Sequence, residues 1–242
     1  MSTRLCNVVV DAADPTALAE FWVTLLDWRV SHADAEEVDV VAPPDDGWKF
    51  DLVFVPVADQ KVGKNRVHLD LSSASPDHQA AIVAHAEALG AVRVDVGQRN
   101  VPWIVLADPE GNEFCVLEQR PEYAATGAIA AVVVDVVDPL RQSEFWSGAS
   151  GWPVVETTAA TASLRSPDGR GPWLEFVRTG EPHRVKNRVH LDVAPLAGED
   201  QWAEVTRLAE LGARKVDVGQ GSVPWEVMAD VEGNEFCVLT PR

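Results

Sequence analysis

The pattern Arg-x-His-x-Asp occurs twice, in KNRVHLDL at 64–71 and KNRVHLDV at 186–193. The chain has only six histidines, so two in one repeated setting mark candidate chemistry. A strand alternates its side chains between two faces. That period puts Arg66, His68 and Asp70 on one face and Val67, Leu69 and Leu71 on the other. Arg188, His190 and Asp192 oppose Val189, Leu191 and Val193 in the same way. The apolar set must lie under helices, which leaves the polar set facing solvent or a cavity. Three readings are open: an ionic brace across strands, a pocket whose histidine hydrogen-bonds a ligand, and metal ligation. A catalytic metal normally draws about three protein ligands.

Cys115 and Cys237 recur within FCVL. A buried free cysteine behaves as a small hydrophobe. A reactive thiol needs a nearby cation to lower its pKa, and Arg66 and His68 are the candidates. Trp103 and Trp225 follow proline in VPW. They read either as core or as an aromatic platform at the rim of a pocket.

These residues belong to a tandem repeat. DVGQ (95–98), VPW (101–103) and GNEFCVL (111–117) all return 122 residues later. Upstream, VVVDAADP (8–15) pairs with VVVDVVDP (132–139), and Phe21-Trp22 with Phe145-Trp146, at an offset of 124. The chain therefore divides into units 1–122 and 123–242, hinged near RPEYAATG (120–127). Within the first unit, VVV (8–10) reads as a strand. Asp14-Pro15 opens a helix whose apolar stripe is Leu18, Phe21, Trp22, Leu25 and Leu26. Strands follow at 38–42 and 50–57. The order then restarts: strand 66–71, a helix from Ser75-Pro76 to Leu89, and strands 92–96, 102–107 and 113–118. The matching helices of the second unit are expected at 138–148 and 198–211. The class is α+β, with mixed curled sheets and four βαβββ modules. The loops PPDDGW (43–48) and SPDGRGPW (166–173) read as covers for the pockets.

The net charge is −18, which disfavours nucleic acid and anionic membranes as partners. There is neither an apolar run of membrane-spanning length nor a secretory signal pattern. Three cysteines without a CxxC pair suit a reduced, cytoplasmic protein.

FWVTLLDW (21–28), KNRVHLDL (64–71) and DPEGNEFCVL (108–117), with their second-unit copies, resemble the glyoxalase-like domains of the vicinal oxygen chelate superfamily. That group includes glyoxalase I, bleomycin-resistance proteins and extradiol dioxygenases. The resemblance covers nearly the whole chain. It implies paired modules forming a curled sheet whose concave face is a site. It also implies metal ligands from the first strand of each module, the fourth strand and the last strand. Those positions hold Asn7, His68, Asp51 or Val53, and Cys115 in the first unit. In the second they hold Ala131, His190, Glu175 and Cys237. His68, His190 and Glu175 are the ligand-type residues among them, and no intact metal set is expected, although a divalent ion remains compatible.

The expectation is a protein that binds a small molecule through His68, Trp103, Cys115, His190, Trp225 and Cys237, with Arg66, Asp70, Arg188 and Asp192 beside them. Two alternatives stand: a metal-dependent lyase, isomerase or dioxygenase using His190 and Glu175, and an interaction module with vestigial cups. A homodimer is compatible with the sequence.

Overall fold

The computed structural model describes residues 3–98 and 100–242. Four βαβββ modules follow one another. The first comprises β1 (Arg4–Ala12), α1 (Pro15–Leu26), β2 (Arg29–Ala33), β3 (Val38–Val41) and β4 (Asp51–Pro56). The second comprises β5 (Val67–Leu71), α2 (Pro76–Ala88), β6 (Val92–Arg93), β7 (Ile104–Ala107) and β8 (Glu113–Val116). After a 3₁₀ turn at Pro121–Tyr123, the third comprises β9 (Ile129–Val136), α3 (Pro139–Ser150), β10 (Val154–Thr157), β11 (Thr161–Arg165) and β12 (Trp173–Arg178). The fourth comprises β13 (Val189–Ala194), α4 (Gln201–Glu210), β14 (Arg214–Lys215), β15 (Glu226–Ala229) and β16 (Glu235–Val238).

The helices start where their caps stand. The side chains of Asp14, Ser75, Asp138 and Asp200 each accept a bond from the backbone three residues on, satisfying a donor the helix leaves free. The first three are followed by proline, whose missing N–H costs nothing there. Strand β2 carries no sequence signal, because all five of its residues are exposed; it exists by pairing with β3.

The two sheets are not the two sequence halves. One runs β14-β15-β16-β13-β1-β4-β3-β2 and the other β10-β11-β12-β9-β5-β8-β7-β6. Each sheet therefore joins a module from the first half to one from the second. The joins are the antiparallel pairs β1–β13 and β5–β9. A ligand set drawn from one sequence half alone is thus split between sheets. Glu175 lies on β12, in the sheet of His68, while His190 lies on β13 in the other. The His190–Glu175 pairing expected above is corrected on this ground: strand exchange separates the two residues.

One core is shared by both sheets and all four helices. Modules of the same half interlock there. Trp22 packs edge-on to Phe114 at 5.1 Å, and Trp146 to Phe236 at 5.5 Å. The buried carboxylates of Asp108 and Asp230 accept the two indole N–H groups. The same aspartates hold the DPEGN and DVEGN turns through Asn112 and Asn234. Glu110 accepts the backbone N–H groups of Ala13 and Asp14, and Glu232 those of Val137 and Asp138, so each turn also anchors the entry to a helix.

The KNR segments tie opposite halves together. Arg66 donates to the carbonyls of Glu181 and Asp135 and to Asn234 Oδ1. Arg188 donates to the carbonyls of Asp59 and Asp11 and to Glu110. Lys64 pairs with Asp135 and Lys186 with Asp11. The loops expected to cover the pockets instead meet each other. A Cβ on Gly171 would come within 2.5 Å of the Gly47 carbonyl oxygen, and both glycines have positive φ. Only a residue without a side chain fits that contact.

Candidate functional site in the sheet faces

Each sheet turns one face to the common core and the other away from it. On β5, Val67, Leu69 and Leu71 enter the core, as their period of two demands. His68 and Asp70 take the opposite face. There His68, Asp70 and Cys115 bring one nitrogen, one oxygen and one sulfur within 4.8 Å of one another. His190, Asp192 and Cys237 do the same in the other sheet. The expected approach of His68 to Cys115 is therefore present.

The registers explain the convergence. Asp70 is opposite Cys115 on β8 and opposite Ala131 on β9. Asp192 is opposite Cys237 on β16 and Asn7 on β1. Asp70 Oδ1 lies 3.4 Å from His68 Nε2, and Asp192 Oδ1 lies 3.3 Å from His190 Nε2. Cys237 Sγ is 3.8 Å from the same His190 nitrogen. Asp70 Oδ1 and His68 Nδ1 are buried without a hydrogen-bond partner, whereas Asp192 Oδ1 accepts the Cys237 backbone N–H. Burial, then the neighbouring aspartate, pushes both thiols well above the ordinary cysteine range. Neither carries the lowered pKa of a reactive cysteine.

The faces differ beyond these clusters. On β12, Leu174 and Phe176 enter the core, so Trp173 and Glu175 share the His68 face. Glu175 and His68 both register against Val133, one from each side. Glu175 Oε1 accepts the hydroxyl of Tyr123 at 2.9 Å. Burial lifts the Glu175 carboxyl to about 7, partly offset by the Tyr123 bond and reinforced by Asp70. Burial, then Glu175, raises the Tyr123 hydroxyl in turn. In the other sheet the same register position holds Val53. That sheet carries instead Asp39, which burial and Glu37 raise to about 6, and Asp51, also raised by burial.

Apolar side chains line the His68 face: Val105, Leu117, Ala130 and Tyr123, with Val94, Val96, Trp103 and Trp173 beside them. Arg120 lies over the rings of Trp103 and Tyr123 at 5.6 and 5.7 Å and pairs with Glu118 at 2.7 Å. Trp103 is thus at the predicted face. Trp225 lies just before β15 and is exposed. Arg66 and Arg188 are committed to the seam between halves. They line a cavity of about 400 Å³ with Lys64, Lys186, Asp11 and Asp59. Its cations are paired internally with Asp135, Asp11, Glu110 and Glu232, so it belongs to the brace. Nothing in the sequence pattern singles out Tyr123, Arg120 or Trp173 as site residues. The available signal was the chain's one tyrosine, placed in the segment read as a hinge.

The oxygen-rich divalent ion that the resemblance implies does not fit these residues. Ala131 offers no donor and Asn7 only an amide at the first-strand positions, and cysteine stands at 115 and 237. Glu175 supplies a carboxylate on the His68 face alone, which leaves fewer than three oxygen or nitrogen ligands at these positions in either sheet.

A family model for the glyoxalase-like domain matches residues 7–117 and again 131–239. Glyoxalase I from Zea mays is similar in fold, with a TM-score of 0.67 at 13% identity, covering 99% of this chain and 92% of that one. A putative dioxygenase from Bacillus subtilis is similar at a TM-score of 0.64 and 13% identity, covering 99% and 86%. No curated protein matches in sequence. No helix among the described residues is long and apolar enough to cross a membrane. Two matched copies, four βαβββ modules and the paired sheets place this chain in the glyoxalase-like domain family of the vicinal oxygen chelate superfamily, as a tandem pair.

Proposed function

We propose that the protein binds a small planar molecule with a polar edge on the His68 face of the sheet joining the second and third modules. The observation that carries this reading is the Tyr123–Glu175 bond, a buried polar pair set among Trp103, Trp173 and apolar side chains. A carboxyl lifted to about 7 both donates and accepts near neutrality, so it can read either kind of polar group on a ligand. The aromatic rings supply apolar area around it. Recognition on this reading does not use the oxygen-rich catalytic ion of the superfamily. The three free thiols suit a reducing, cytoplasmic setting.

A thermal-shift screen of planar aromatic compounds tests the reading. At least one compound should stabilise the protein, and Glu175→Gln should weaken it about ten-fold, as expected for loss of about 1.4 kcal/mol. A complete screen without a stabiliser would favour the rival reading of an interaction module with vestigial cups.

A further inference from the structure

We infer that Arg165 is the anion-reading residue of the His68 face, and that the planar molecule bound there carries a carboxylate. The inference rests on the binding reading above and adds the charge of the ligand to it.

Register puts Arg165 on that face. On β11, Leu164 enters the core, so Ser163 and Arg165 point the other way. Arg165 is directly opposite Trp173 on β12, and Ser163 is opposite Glu175. Directly opposite residues share a face, which makes Arg165 and Glu175 diagonal neighbours, about 7–8 Å apart on such a pair of strands. A planar ring with a polar group at each end spans that separation.

The guanidinium is buried without a counter-ion. Arg165 is only 8% exposed. The acid that bears on it is Asp168, and Asp168 pairs with Lys49 and accepts from Ser166 instead. The other arginines near the sheets differ in this respect: Arg66, Arg120 and Arg188 face Glu232, Glu118 and Glu110. Nη2 of Arg165 donates to two carbonyls, Gly169 at 2.7 Å and Ala125 at 3.5 Å. Nη1 is buried with no hydrogen-bond partner. A buried charge left in this state is costly.

A carboxylate relieves that cost. The Ala125 contact is at the limit of a hydrogen bond. A carboxylate that displaces this carbonyl meets Nη1 and Nη2 together, in the planar fork geometry that binds carboxylates most strongly. The Trp173 ring centre lies 4.8 Å from the guanidinium carbon, so the fork is held flat beside an apolar platform.

The other sheet supplies a contrast within the same chain. Asp51 registers against Asn7 as Trp173 does against Ala131. Asp39 faces Val53 as Ser163 faces Glu175. Two residues beyond Asp39, Val41 takes the place of Arg165. Those positions offer two carboxylates and no cation, which directs an anionic ligand to the His68 face.

The test is calorimetric titration of the full chain with planar arenecarboxylates, each compared with its neutral carboxamide. The probes are para-hydroxybenzoate and naphthoate with the two matching amides. In the wild type the acids should bind about ten-fold or more tightly than the amides. Arg165→Gln should weaken the acids and bring each pair within about two-fold. Arg165→Lys keeps the charge without the fork, and its preference should fall between those two values. Equal affinity for acid and amide in the wild type, a comparison that needs no variant to fold, would overturn the inference. So would an acid preference that survives Arg165→Gln. In either case, amide binding that Glu175→Gln weakens would leave the proposed function standing. If neither acids nor amides bind, both readings fall together.

Discussion

The Tyr123 hydroxyl donates to Glu175 Oε1 at 2.9 Å. Tyr123 sits in the turn that links the halves, and Glu175 on a strand of the second half. Their bond lies on the face that carries His68 from the first half, so neither repeat owns the site. The valine at the equivalent position of the other sheet, Val53, makes the two faces chemically unequal.

Glu175 should leave a signature in the pH dependence of stability. Its folded pKa of about 7 lies above the ordinary 4.5, so the native state holds this proton more tightly than the unfolded chain. The associated stability is present below pH 4.5 and is lost as pH rises from there through 7. The shift corresponds to about 3 kcal/mol. Urea unfolding at pH 4.5 and 7.5 should show wild type losing more stability than Glu175→Gln by up to that amount. Parallel losses in the two proteins would count against the assignment.

The seam arginines should matter for folding rather than for binding. Arg66→Gln leaves two carbonyls, Asn234 Oδ1 and the nearby Glu232 without their shared cation. A loss of about 3 kcal/mol follows for a partner removed from a mostly buried network. Arg188→Gln should behave alike by the pseudo-symmetry of the fold. Chemical denaturation measures both, and a change within about 0.5 kcal/mol, the range of an ordinary surface substitution, would contradict the brace.

Phe114→Ala should cost about 3–5 kcal/mol, as for other buried phenylalanines, because the ring fills the space against Phe21 and Trp22. Trp22→Phe should cost about 1–3 kcal/mol by removing a donor from buried Asp108. The two losses should be non-additive, since the residues are in contact. A double-mutant cycle reads the coupling, and strict additivity would deny the interlock.

Glu110→Ala removes the acceptor for two backbone N–H groups before α1 and one contact of Arg188. A loss of about 1–2 kcal/mol is expected, in the range of a lost helix cap. The matching Glu232→Ala should cost a similar amount. A differential scanning experiment on both variants gives the comparison.

Much of this was legible in the chain. The repeat offsets, Asp14-Pro15 and the alternation in VHLDL predicted the four modules and the face on which His68 and Asp70 sit. Glu175 is legible as a ligand-type residue, but the sequence pairs it with His190. Repeats in sequence carry no information on which module pairs with which, and strand exchange moved Glu175 to His68. Strand β2 carries no readable pattern because RVSHA buries nothing. The roles of Arg66 and Arg188 were hidden because their acceptors are backbone carbonyls of the other half, which no side-chain pattern announces. Tyr123 was hidden for a related reason: a lone aromatic in a linker has no periodicity to read.

The measurement that tests the central claim most directly is a cross-titration. A planar aromatic compound that stabilises the wild type is titrated calorimetrically into Glu175→Gln, Tyr123→Phe and His190→Gln. A working site on the His68 face predicts affinity reduced about ten-fold or more in the first two and unchanged in the third. Affinity lost in His190→Gln and retained in Glu175→Gln and Tyr123→Phe would place the ligand in the other sheet and contradict the account.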